Sequence, residues 1–542
     1  MTTTHPMGAT YTGDPVAVIG NGPVGQTAAL LLARWGIPVI LLDARPARDP
    51  IGSKAIVQQR DVLDIWSSVG AGDQIAEEGL TWTLARTFYK EHELFCVAFD
   101  DPGRSSFPPF VNISQTRTEQ FLDERIAASP LIDVRWGHEV VGVAQDDERV
   151  VVTCRTRDDA VTVHTPYVIA CGGARGELRS QLGLTFPGRT FEDYFLICDI
   201  RADIPGWEQE RRFYFDPEWN PGRQVLIHPC PGSVFRIDWQ VPNGFDISEE
   251  ERTGGIDRRI RHIIGDRDYE IVWQSIYRFH ARHTDRMRVG RVLIAGDCAH
   301  LVSPFGARGL NSGVQDAENA AWKIAFVLNG WADEDLLESY HQERLAAALE
   351  NIDVTSRTMD FLVPQDDQDL QRRLEVLERA ITEPAVREQV DSGRLAEPFW
   401  YVDSPLTTPN SDRPFQGRPP RGQTPPVVPG VILPDVPVQQ DGASRLRQLA
   451  RSGFLLLISD DVDEAAVTAV ARQGTDAPVA VHTLSSLDPS GLLAQALDAG
   501  PGEIRVIRPD AHVAAIVTAV DLEQLQGALR RCVARAVSAS AV

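Results

Sequence analysis

Three glycines, Gly20, Gly22 and Gly25, stand in the spacing G-x-G-x-x-G directly after the apolar run "VAVIG" and at the head of the helical stretch "QTAALLLARWG". That placement suits phosphate chemistry. The first glycine permits a tight turn, the second lets backbone approach a pyrophosphate, and the third lets helix and strand pack closely. Pro23 and Val24 open the helix, whose free N–H groups and dipole stabilise phosphate charge. Asp43 ends the next apolar run, "IPVILLD", eighteen residues past Gly25 and just before Ala44 and Arg45. An acid at that point accepts from ribose hydroxyls. The pattern predicts a dinucleotide site without separating FAD from NAD.

A second constellation lies almost three hundred residues later, in "GDCAHLVSPFGARGLNSG", residues 296–313. Asp297 ends a strand-like run. Gly306, Ala307, Arg308 and Gly309 make a turn small enough to lie against a flat ring. Leu310 and Asn311 follow at a helix start, where backbone N–H groups stabilise negative charge. The spacing of Val314, Ala317, Ala321, Ile324, Ala325 and Leu328 predicts that this helix begins near Asn311 or Ser312.

The elements that must hold these motifs follow from periodicity. Strand–helix–strand is predicted over residues 16–43, a helix over 55–75, strand-like texture over 81–99, and a helix in "TRTEQFLDERIAAS". From 185 to 277 the chain is rich in strands and turns: "FLICDI", "RRFYFDP", "QVLIHPCPG", "FRIDWQVP" and "YEIVWQSIYRFHAR". Helices continue to about residue 389. A segment rich in proline and glycine precedes a small α/β unit.

The second constellation resembles the GD motif of the class A flavoprotein monooxygenases, the FAD-dependent aromatic hydroxylases, nearest the hydroxyphenylpropionate and phenol hydroxylase branch. The resemblance covers roughly residues 14–405, and more weakly the remainder. It implies an α/β fold: a Rossmann-type, glutathione-reductase-like FAD-binding domain with an inserted β-sheet substrate domain and a C-terminal thioredoxin-like α/β domain. The expected division is a flexible tail at 1–13, a discontinuous FAD-binding domain at 14–184 and 278–402, and a substrate domain at 185–277 with part of 81–111. A linker at 403–437 and a thioredoxin-like domain at 438–542 complete it. The last contains no C-x-x-C, so disulfide exchange is excluded there.

The same resemblance implies FAD as cofactor, NADPH or NADH as reductant and O2 as co-substrate. A flavin hydroperoxide then transfers oxygen to a phenolic or other electron-rich ring. Asp297 accepts from the ribityl chain, Lys54 or Arg60 is a flavin-contacting cation, and Gln115 reaches the diphosphate–ribose region. Pro304 places its carbonyl beside the ring to be hydroxylated, and His300 follows the motif. One element departs: "YVIACGGARGELR" has Gly172 where the family carries an aspartate linked to FAD and reductant binding, while Arg175 and Arg179 are kept.

Candidates for assisting phenol deprotonation lie on the predicted sheet: His228, Tyr214 and Asp238, with Pro304 beside the ring. A free phenol has a pKa of about 10, so such help is useful at neutral pH. Strand alternation sets Arg212 and Tyr214 on one face and Phe213 and Phe215 on the other. The alternatives are a related flavin monooxygenase performing epoxidation or Baeyer–Villiger insertion, or an FAD-binding protein without turnover.

Bulk properties narrow the partners. With 53 basic against 76 acidic residues the formal charge is −23, which repels nucleic acid and anionic membranes. Seven scattered cysteines fit reduced thiols, and no metal site is expected. No signal or membrane span is predicted. The expectation is a cytoplasmic protein binding a small aromatic substrate, possibly as a homodimer.

Overall fold

A computed structural model describes residues 11–50, 52, 55–99, 105–174, 177–393, 395, 397–419 and 423–535. Lys54, Arg175 and most of the tail expected at 1–13 lie outside the described residues. One unit is built on a six-stranded sheet in the order Arg288–Val289, Val292–Ile294, Val168–Ala170, Val16–Ile19, Val39–Leu42 and Ile132–Arg135. All neighbours are parallel except the first pair. Both faces of this sheet are covered, which is why its strands are almost continuously apolar. The helix Pro23–Arg34 packs on it beside the long helix Arg308–Leu328.

A second, eight-stranded sheet runs in the order His300–Leu301, Tyr269–His283, Gly188–Ala202, Val234–Val241, Gln224–Cys230, Glu210–Phe215, Leu84–Tyr89 and His92–Ala98. One face is sealed by Ile256, Ile260 and Ile264 of the helix Gly255–Ile264, which packs on Ile227, Ile237 and Trp239. On the opposite face Phe213 and Phe215 meet Met359, Leu362 and Leu377 from the helices Leu336–Leu362 and Asp367–Thr382. Those helices therefore bury part of the second sheet although they follow the segments of the first sheet in sequence.

The C-terminal unit has a four-stranded sheet ordered Val479–Thr483, Phe454–Ile458, Glu503–Ile507 and Val513–Thr518. The first pair is parallel and the other two are antiparallel. With helices Glu464–Gly474 and Leu522–Cys532 it forms a thioredoxin-like unit. The proline-rich segment before it is bound to this unit: Thr408, Gly430 and Leu433 donate backbone N–H groups to the carbonyls of Ala514, Val513 and Ala511. Leu406, Val431 and Leu433 are buried.

Two local expectations are corrected. The helix expected over 55–75 is a strand, Val57–Gln59, followed by the short helices Arg60–Ser67 and Gly72–Glu78. The strand forms because Val57–Gln59 pairs with Phe110–Asn112, a partner far along the chain. Gly70 at φ 82° then interrupts the helical run. The helix expected from Asn311 or Ser312 starts at Arg308, because Ala307 takes a left-handed conformation, φ 57° and ψ 42°, and caps it.

Candidate functional site

A cavity of about 850 Å³ opens between the two sheets. One end is built from the glycine turn and from Asp43, which directly follows the strand Val39–Leu42. Each glycine meets a different physical demand. Gly20 adopts φ 101°, and a Cβ there would lie 2.5 Å from the Cys171 carbonyl oxygen. A Cβ on Gly25 would lie 1.9 Å from the Gly20 carbonyl oxygen. A Cβ on Gly22 would meet nothing within 4 Å, so that position faces open cavity. Close approach at two positions and an open cradle at the third are what a bound diphosphate requires.

Asp43 accepts from the backbone N–H of Asn21 at 2.8 Å and from Nε and an Nη of Arg45 at 2.9 Å each. Burial pushes its carboxyl up, but these donors outweigh it and hold the group below its usual value. Arg45 is thus committed to Asp43. Arg48, which no sequence motif singled out, donates to Glu119 at 2.6 Å and to the Asn21 side chain at 2.9 Å, and pairs with Asp123. Gln115 opens its helix, accepts from the Ala55 N–H at 3.1 Å and donates to Glu119 at 2.8 Å. Pro23, Val24, Ala44 and Gln115 all line the cavity, as do Asp297, Pro304, Gly309 and Leu310.

The turn from Pro304 to Gly309 holds one non-glycine residue in the left-handed region. Ala307 donates its N–H to the Pro304 carbonyl at 2.9 Å, so that carbonyl also closes the turn. Holding alanine in the left-handed region costs about 1–2 kcal/mol, which the surrounding packing must supply. Pro304 and Asp297 are exposed to the cavity. Asn311 does not line it. Its side chain accepts from the Gln59 N–H at 3.0 Å and donates to the Val57 carbonyl at 2.9 Å, pinning the turn to the strand Val57–Gln59. His300 is buried and donates through Nε2 to Asp316 at 2.7 Å, so it braces the turn from behind. Arg60 also lies off the cavity, where its Nε donates to the Phe107 carbonyl. Near the departed motif, Gly172 and Gly173 line the cavity, and Arg179 ties this loop to the segment carrying Asp297 through the Cys298 carbonyl at 3.0 Å.

The other end of the cavity is set by the second sheet. Phe195 and Phe279 stack at 4.2 Å, and Phe305 meets Phe195 edge-on at 5.7 Å, forming an aromatic wall beside Pro304. Register places Ile197 and Leu226 on either side of Asp238, and Asp199 and His228 on either side of Arg236. His228, Arg236 and Asp238 all line the cavity. Arg236 is clamped by Asp199 through bonds of 2.7 and 3.0 Å. His228 Nδ1 and Asp238 Oδ1 are shielded yet have no hydrogen-bond partner within the protein. Burial, reinforced by Arg211 and Arg236, pushes the His228 imidazole well below its usual value and keeps it neutral. Burial and the charge of Asp199 lift the Asp238 carboxyl to about 7 against the opposing pull of Arg236.

Tyr214 is a correction. It is on the sheet face turned away from the cavity, stacked on Phe88 at 4.7 Å with its hydroxyl bonded to Arg212 at 3.1 Å. Alternation gives the inward position to Phe213 instead. Asp199 and Arg211 were missed by sequence reasoning. The signal for Asp199 is an acid inside the apolar run "FLICDI".

Residues 14–355 match the family described as "FAD binding domain", and residues 427–536 match "Aromatic-ring hydroxylase, C-terminal". The chain belongs to this FAD-binding family. It is 28% identical over 355 residues to a 3-(3-hydroxy-phenyl)propionate/3-hydroxycinnamic acid hydroxylase of Comamonas testosteroni, covering 65% of this chain and 59% of that relative. It is 27% identical over 536 residues to a 6-methylpretetramide 4-monooxygenase of Streptomyces rimosus, covering 93% and 90%. The fold is shared with the flavin-dependent monooxygenase PieE in complex with FAD and substrate, with TM-score 0.83, 22% identity, and coverage of 96% and 99%. A ternary complex of aklavinone-11 hydroxylase superposes with TM-score 0.75, 24% identity and the same coverage. Among the described residues no helix is long and apolar enough to cross a membrane.

Proposed function

We propose that this protein is an FAD-dependent, NAD(P)H-consuming monooxygenase that hydroxylates a phenolic ring ortho or para to an existing hydroxyl. The observation that carries the reading is Asp238, a cavity-lining carboxyl with an unpartnered oxygen and a pKa of about 7, in the same cavity as a neutral His228 whose Nδ1 has no hydrogen-bond partner. The names of the relatives support it.

FAD, when bound, supplies the activation of O2 with electrons from the nicotinamide. The glycine turn and the N-terminus of the helix Pro23–Arg34 would hold its diphosphate, and Leu310 at the start of the helix Arg308–Leu328 lines the same cavity. The protein's remaining work is on the substrate. Phe195, Phe279 and Phe305 hold a flat ring and exclude water. Asp238 accepts the phenolic proton, and the positive charge of Arg211 and Arg236, which reinforces burial in keeping His228 neutral, also stabilises the phenolate. Loss of that proton enriches the ortho and para carbons, the positions attacked by an electrophilic oxygen.

The test is a panel of phenols supplied with NADH or NADPH, with oxygen uptake and products measured. A phenol that accelerates nicotinamide oxidation and appears as its hydroxylated product supports the reading. A panel in which none does so removes it. The proposal extends to a cytoplasmic location, with support from the unpaired thiols, and to a homodimer. Light scattering of the purified protein checks the mass.

A further inference from the structure

The helix Arg308–Leu328 turns its first turn to the cofactor cavity and its far end to the thioredoxin-like unit. A buried chain of polar side chains joins the two, and the chemistry above does not use it. The chain begins at Arg508, just after the strand Glu503–Ile507, whose guanidinium is fully buried. Arg508 donates to both oxygens of Glu343, at 2.5 and 3.0 Å, and to Asp510 at 2.6 Å. Glu343 also accepts from Lys323 at 2.6 Å and Asn319 at 2.8 Å. Asn319 and Arg344 both donate to the Tyr401 hydroxyl, at 3.3 and 3.0 Å. Arg344 Nε reaches Asp316 at 2.6 Å. The other Asp316 oxygen accepts from the Gly296 backbone N–H at 2.9 Å and from His300 at 2.7 Å. Arg344 further donates to the carbonyl and hydroxyl of Ser312, at 3.2 Å each.

The far end of this chain has a specific geometry. Gly296 and Ser312 bracket the segment that carries Asp297, Pro304, Gly309 and Leu310. Asp316 holds the first bracket, Arg344 holds the second, and the two are bonded to each other. The charges along the chain close among themselves: Lys323, Arg344 and Arg508 against Asp316, Glu343 and Asp510. In so dry an environment, removing one member leaves its partner as an uncompensated charge, so the members move together or not at all. A module that merely covered apolar surface would need none of this. Contacts such as Phe326 with Phe454, 5.7 Å apart, already serve that purpose.

We propose that Arg508 of the thioredoxin-like unit is a positioning residue for the cofactor-facing segment 297–311, acting through Glu343, Tyr401, Arg344 and Asp316. A thioredoxin-like unit without C-x-x-C then has a defined role, setting the geometry of the FAD site from behind. The inference rests on the FAD site alone and is independent of the substrate and of Asp238.

Full-length Arg508→Met, Arg508→Lys and Tyr401→Phe proteins test it, with FAD affinity, the visible circular dichroism of bound flavin and the unfolding midpoint as readouts. Arg508→Met is expected to weaken FAD binding about tenfold and to change the flavin dichroism, with Arg508→Lys recovering part of both. Tyr401→Phe keeps the ring and removes only the linking hydroxyl. It is expected to shift both flavin readouts in the same direction, by a smaller amount. If Arg508→Met does not fold, Tyr401→Phe decides. Flavin dichroism unchanged and FAD affinity within about twofold of the parent in Tyr401→Phe, or in a folded Arg508→Met, overturns the proposal.

Discussion

Asp316 and Asp238 are the same residue type, both withdrawn from bulk solvent, and the fold treats them in opposite ways. Asp316 receives a backbone N–H, an imidazole and a guanidinium. Burial alone would raise its pKa, yet Arg344 and His300 outweigh it and hold the carboxyl at about 2. Asp238 has no donor for its shielded oxygen, and burial leaves it at about 7. A carboxylate with both oxygens held by donors has become scaffold. One that is left short of partners and faces a cavity is ready to take a proton. Burial is common to both, so the inventory of donors separates structure from chemistry.

The comparison can be broken at several points. Asp316→Asn leaves Arg344 as a buried, uncompensated charge, and should cost about 3–5 kcal/mol in urea unfolding, with FAD lost early in the transition. Asp238→Asn should lower kcat/KM about a hundredfold through loss of the base, without loss of stability. The sign follows from its raised pKa. Between about pH 4 and 7 the folded protein binds more protons at Asp238 than the unfolded chain does, so this group lowers stability as pH rises. An amide removes that loss. Stability of the variant relative to the parent, followed from acid to neutral pH, checks it.

The two glycines at the cofactor end should separate in the same manner. Gly25→Ala forces a Cβ against the Gly20 carbonyl and should destabilise the fold by about 1–3 kcal/mol. Gly22→Ala fills the open cradle, so the apoprotein should unfold as before while FAD affinity falls about tenfold. Tyr214→Phe carries the smallest effect. Its hydroxyl bonds Arg212 away from the cavity, so about 1 kcal/mol of stability should go, and kcat/KM should stay within about twofold.

What was legible in the sequence follows the same physical divide. The glycine turn could be read because its demands are local: one residue at positive φ, one facing open space, one pressed against backbone, all within six positions. The turn from Pro304 to Gly309 was also local, although the left-handed Ala307 moved the helix start to Arg308. At the substrate end, alternation showed that Tyr214 and Phe213 must part company. It could not show which face met the cavity, because that is decided by the helix Gly255–Ile264 sealing the other side. Asp238 and His228 were named as two polar residues among several. Their shared surroundings come from cross-strand register with Arg236 and Asp199, which no single strand contains. The chain from Arg508 to Asp316 joins residues nearly two hundred positions apart, so no local pattern contains both ends.

The most direct test is ultraviolet difference spectroscopy of a phenolic substrate bound to the oxidised holoenzyme, titrated between about pH 5 and 9. The account predicts that the bound phenol ionises below its free-solution pKa, and that Asp238→Asn moves the midpoint toward the value of the free phenol. A bound phenol that ionises at its free-solution pKa in the parent protein, or identically in parent and Asp238→Asn, would contradict the assignment of Asp238 as the base.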